Sequence, residues 1–173
     1  AGALFHVQAR KATDPVLQEI FQTFVIDEVR HAQVAQMLAD FYDVHRYRVY
    51  QLNPHLVRFH TYFVDTIRHL SAEIANVYII TGELLLDIAL LRSLDDYVDD
   101  EMSHEAMALI NRDESRHVAI DFHMVEYYSS EAYDRQRARE PRPTPLEEAR
   151  AWWSLVNMMY FAAPFLREVF FEP

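Results

Sequence analysis

The cluster DEVRH at residues 27–31 recurs, with one letter changed, as DESRH at residues 113–117. Each copy stands in an apolar helical frame, FVIDEVRHAQVA in the first case and ALINRDESRHVAIDF in the second. On an α-helix, residues three apart share a face, so Glu28 points with His31 and Glu114 with His117. A lone Glu-x-x-His pair arises readily by chance on a solvated helix face. Two copies within apolar flanks are another matter, because an unpaired carboxylate and imidazole are costly to bury. A metal ion shared by the pairs removes that cost. The repeat therefore calls for a fold that sets two helices side by side with these pairs facing inward.

The rest of the chain is helical in pattern. Leu17, Ile20, Phe21, Phe24, Val25, Glu28, His31, Ala32, Ala35 and Leu38 follow the i, i+3, i+4, i+7 spacing of one helix face. Asp14-Pro15 supplies a cap and a first-turn proline, so this helix is expected from Pro15 to the region of Tyr47. After LNPH at 52–55, a second long helix is expected over about 55–94, with a kink at Gly82. DDYVDD at 95–100 reads as a turn and a helix start, and the next helix covers 101–129. Residues 130–145, with DRQRAREPRPTP, read as a loop, and a last, aromatic-rich helix covers 146–171. Residues 1–12 look like the tail of a helix whose beginning is not in this sequence. The expected class is all-α: one domain over residues 1–173, with its bundle core in 1–129.

Composition narrows the chemistry. The chain has 173 residues and no cysteine, so thiolate metal sites, disulfides and cysteine nucleophiles are excluded. Two glycines leave little room for phosphate-cradling loops. A formal net charge of −11 argues against nucleic acid as a partner. No apolar run reaches the length of a membrane span, and a cytoplasmic location is the default expectation. Any metal is held by histidine and carboxylate, which suits iron, manganese or zinc.

Two Glu-x-x-His pairs need further carboxylates to hold two divalent metals. In an antiparallel helix pair, residues equidistant from the turn lie at equal depth. Glu114 lies as far beyond the centre of DDYVDD as Glu83 lies before it, and Glu83 interrupts the otherwise apolar YIITGELLLDIALL. Glu83 is therefore the expected third carboxylate. The same rule applied to Glu28 points upstream of Ala1, so a fourth carboxylate is expected on a preceding segment, with the first helix truncated in this chain. A ligating histidine usually donates its other ring proton to a carboxylate or carbonyl. Asp27 is expected to serve His117, and Asp113 to serve His31, with Arg30 and Arg116 balancing the aspartates. His69 and Glu73, at i, i+4 with Asp65 before them, read as exposed polar positions.

The paired DE-x-RH motifs and the lone glutamate between them resemble the ferritin-like non-haem diiron-carboxylate proteins. The wording of DEVRH and DESRH is similar to that of the hydroxylase subunits of bacterial multicomponent monooxygenases. The short spacing from Glu83 to Glu114 resembles that of the p-aminobenzoate N-oxygenase type. Where those N-oxygenases carry an additional histidine, this chain has Ile110. The resemblance covers roughly residues 1–128. It implies a ferritin-like four-helix bundle with an additional C-terminal helix, and Glu28, His31, Glu83, Glu114 and His117 as metal ligands. It also implies two iron ions as cofactors, with manganese an alternative in one site. Dioxygen, a small organic substrate and an electron donor (a reductase or ferredoxin) would be the partners, in a monomer or homodimer. The expected function is an oxygen-activating oxidoreductase that hydroxylates or N-oxygenates its substrate. The alternative is an iron-handling protein with ferroxidase activity and no organic substrate.

Overall fold

The computed structural model describes residues 2–43, 53–84 and 98–170, and every regular element among them is helical. In chain order these are α1 (Gly2–Lys11), α2 (Pro15–Phe41), α3 (Pro54–His69), α4 (Ala72–Gly82), α5 (Glu101–Tyr128), α6 (Glu131–Arg137) and α7 (Pro145–Phe170). They fall into two compact units, Ala1–Val44 with Ser71–Arg139 and His45–Leu70 with Glu140–Pro173.

In the first unit the two motif-bearing helices start alike. Asp14 accepts a hydrogen bond from the Val16 N–H at 2.7 Å, and Pro15 opens α2. Asp100 caps α5 by accepting from the Ser103 N–H at 2.9 Å. The Tyr42 hydroxyl at the end of α2 donates to the same Asp100 carboxylate at 2.9 Å, joining the end of α2 to the start of α5. Four helices close a ring: α1 and α5 each pack against both α2 and α4. Phe5, Phe21, Phe24, Ile79 and Met124 fill its centre. Phe5 meets Phe24 edge-on, with ring centroids 5.2 Å apart. Polar ties sit within this core. Gln8 on α1 donates to the Ala72 carbonyl at 2.8 Å and accepts from the Tyr128 hydroxyl at 2.7 Å. Asn76 on α4 donates to the Asp121 carbonyl on α5 at 3.1 Å.

Three expectations about boundaries change. The helix expected to run from Pro15 to the region of Tyr47 closes at Phe41, where Tyr42 leaves the helical conformation. The long second helix breaks at Leu70–Ser71, not at Gly82. Leu70 has φ −66° and ψ 136°, and Ser71 φ −69° and ψ 162°. Serine is a weak helix-interior residue but a preferred N-cap, and α4 starts directly after it. Gly82 continues the helix, and Glu83 and Leu84 follow in a wider π-type turn. The expected continuation through 85–94 and the turn residues 95–97 lie outside the described residues, as do 44–52. The stretch 130–145, expected to be a loop, contains α6. Ser130 caps it by accepting from the Tyr133 N–H at 3.2 Å. Its anchor is Tyr133, buried, with its hydroxyl donating to Glu73 at 2.6 Å.

The second unit pairs α3 with α7. Phe59 stacks on Phe165 and Tyr62 on Phe161, with ring centroids 5.8 and 5.3 Å apart. Polar contacts close both ends of the pair: Asn53 donates to Glu168 at 2.6 Å, and the Ser154 hydroxyl donates to Asp65.

Candidate metal centre

Glu28 and Glu114 stand at the same distance in sequence from their caps, Asp14 and Asp100. The ring of helices brings them together with Glu83, which directly follows α4. Glu28, Glu83, Glu114 and His117 each offer one ligand atom, and these atoms all lie within 4.8 Å of one another. Glu83, Glu114 and His117 are fully buried, and the Glu28 side chain keeps 18% of its exposure. His117 Nδ1 lies 3.0 Å from Glu114 Oε2 and 3.7 Å from oxygens of both Glu28 and Glu83. His31 joins from the other side, its Nδ1 2.7 Å from Glu114 Oε1. The two imidazole centroids are 6.0 Å apart.

Both histidines turn the same nitrogen inward and the other toward an aspartate of the opposite helix. His117 Nε2 lies 3.5 Å from Asp27 on α2, and His31 Nε2 lies 3.4 Å from Asp113 on α5. An aspartate behind a ligating imidazole fixes its tautomer and raises its basicity. Arg116 joins the two aspartates, 2.7 Å from Asp113 and 3.3 Å from Asp27, and Arg30 approaches Asp27 at 3.6 Å. Both arginines are solvent-exposed, and Asp27 itself is buried.

The electrostatics favour positive charge at the centre of the cluster. Burial pulls the His117 imidazole down, but the Glu114 and Glu83 carboxylates outweigh it and push it up to about 10. Burial also penalises the Glu114 anion, yet hydrogen bonds from His117 and His31 hold it well below the usual carboxylate range. His31 is raised in the same way: burial lowers it, and Glu114 and Asp113 more than restore it. Three carboxylates packed this closely repel one another unless a cation stands among them. The donor set is carboxylate and imidazole only, which fits iron, manganese or zinc and disfavours soft metals. By this chemistry the residues present fit a resident metal ion.

Apolar side chains close one side. The Phe24 ring lies 4.1 Å from the His117 ring and Phe5 meets it edge-on at 5.0 Å. On the Glu28 side an open groove of about 430 Å³ runs past Gly2, Glu28, Val29, Ala32, Gln33 and Gln36. Gly2 lets α1 start this close to α2, since a Cβ there would stand 3.3 Å from Glu28 Cβ.

One buried carboxylate escaped the sequence reading. Asp121 is completely buried, and among the described residues neither side-chain oxygen has a hydrogen-bond partner. Burial pushes it up to about 7, with His117 drawing it back and Glu114 adding to the rise. Its signal was in the spacing: Asp121 follows His117 at i+4, on the side of α5 that faces the cluster. His69 and Glu73 do not share a helix, because the break at Leu70–Ser71 separates them. Glu73 instead pairs with Arg137 at 2.6 Å.

Comparison of the chain with family models, with curated proteins and with solved structures gives no match.

Proposed function

We propose that Glu28, His31, Glu83, Glu114 and His117 hold a pair of iron ions in a ferritin-like bundle, and that the protein is an oxygen-activating oxidoreductase acting on a small organic substrate. The observation that carries this reading is the convergence of three carboxylates and His117 within 4.8 Å, with His31 bound to Glu114 on the far side. A structural core would not gather so many ionisable groups without a cation to compensate them. The repeated DE-x-RH wording gives the same indication from the sequence.

When bound, ferrous ions would supply electrons and coordination sites for the reduction of dioxygen. The chain's own residues have separate tasks. Asp113 keeps the Nδ1 lone pair of His31 directed inward by accepting from its Nε2 proton, and Asp27, 3.5 Å from His117 Nε2, does the same for His117 by its charge. Phe5 and Phe24 keep water from the His117 side, which protects reactive species from quenching. Electrons would come from a separate donor, a reductase or ferredoxin.

The test is anaerobic loading of metal-free protein with Fe2+, followed by oxygen consumption with and without a panel of aromatic and arylamine substrates. The reading expects iron to be retained and an organic product to form with oxygen uptake. Oxygen uptake that tracks Fe2+ oxidation alone, with no organic product, would favour iron handling instead. Failure to retain iron would remove both.

A further inference from the structure

Among the described residues, the second unit presents an apolar face with no counterpart in its own two-helix packing. Ser154, Met158 and Ala162 of α7 are buried on the side that meets α3. The opposite side carries Trp152, Trp153, Val156, Met159 and Tyr160, each 56–71% exposed. A helix that is apolar on both sides belongs in the middle of a bundle. A pair of helices with one apolar side open is half of a four-helix arrangement.

We infer that this face is a symmetric dimer interface, in which α7 packs antiparallel against α7 of a second copy with Val156 at the two-fold axis. The side chains repeat in mirrored order about Val156. Trp153 answers Met159, Trp152 answers Tyr160, Ala149 answers Ala163, and Leu146 answers Leu166. An antiparallel two-fold pair requires that order, because residue i meets residue j while j meets i. The large-against-large and small-against-small pairing lets the helices approach closely at both ends. The direction agrees with the helix dipoles, which oppose each other in an antiparallel pair. The area suffices as well. With two tryptophans and a tyrosine at its centre, the face offers on the order of 700–800 Å² per copy, close to the standard size of a stable interface. A lipid surface is a poorer match, since interfacial helices flank their aromatic residues with lysine and arginine, whereas α7 opens with two glutamates.

The natural absence of cysteine makes a direct test available. Full-length Val156→Cys and Ala163→Cys proteins would be prepared, oxidised at micromolar concentration and run on non-reducing gels. The mass of the unmodified protein in solution would be measured by light scattering. The inference expects a dimer in solution and near-complete cross-linking of Val156→Cys. It expects little cross-linking of Ala163→Cys alone, because its counterpart is Ala149. Combining Ala149→Cys with Ala163→Cys should restore the cross-link. Trp153→Glu should shift the protein to monomer with its helical content kept. A monomeric unmodified protein, whether its tryptophans are exposed or shielded by its own chain, would overturn the inference. Equal cross-linking of the two single-cysteine proteins would overturn the antiparallel register.

Discussion

His117 and Asp27 face each other across two helices, His117 Nε2 3.5 Å from the aspartate oxygen, while His117 Nδ1 points at the carboxylate cluster. His31 and Asp113 repeat the relationship with the helices exchanged, at 3.4 Å. Each motif thus supplies a Glu–His pair on its own helix and the aspartate that stands behind the histidine of the other.

The crossed arrangement gives the first prediction. Asp27→Asn and Asp113→Asn each weaken metal affinity by roughly 10–100-fold, the effect expected when the carboxylate behind a ligating histidine is neutralised. Titration of metal-free protein against a competing chelator measures it. Unchanged affinity in both variants would show that the aspartates do not act on the histidines.

Asp121 gives a pH-dependent prediction for the metal-free protein. Its folded value of about 7 lies above the ordinary 3.8. Between those values the unfolded chain releases the proton that the folded protein keeps, so the folded state loses stability as pH rises toward 7. The stability tied to this proton is complete below about pH 4 and gone above the folded value. Asp121→Asn should therefore be more stable than wild type at pH 8 by on the order of 1–3 kcal/mol, and the gain should shrink toward pH 4. Urea unfolding of both proteins across that range checks the sign. A gain independent of pH would mean that Asp121 does not carry the proton.

Phe5 is the third case. It is fully buried and touches Phe21, Phe24 and His117. Phe5→Ala should cost about 3–5 kcal/mol through lost burial and the cavity left behind. Denaturant unfolding measures the loss, and a cost below about 1 kcal/mol would show that α1 does not anchor the first unit.

Much of the arrangement was legible because it rests on local rules. Asp14-Pro15 and Asp100 announce the starts of α2 and α5, and apolar spacing carries the helices. Counting outward from DDYVDD selected Glu83, which offers a carboxylate oxygen within 4.8 Å of atoms of Glu28, Glu114 and His117. The break at Leu70–Ser71 was not legible, since Ser71 sits in a continuous helical pattern and one serine seldom ends a helix. The short α6 was hidden for a related reason. Its stability comes from Tyr133 reaching Glu73, a contact between residues distant in sequence. Asp121 was overlooked because a single acid beyond a motif looks like surface until the packing of α4 against α5 buries it. Asp27 and Asp113 were easier to read, since each sits beside a glutamate of a repeated pattern.

The central claim is that these residues hold two irons, and iron bound per chain tests it most directly. Metal-free wild type, Glu83→Ala and His117→Ala would be loaded anaerobically with Fe2+, desalted and assayed for iron and protein, with circular dichroism to verify folding. The account predicts two irons per wild-type chain and the loss of at least one in each variant, with helical content retained. One iron or fewer per wild-type chain, or undiminished loading in both variants, would contradict it.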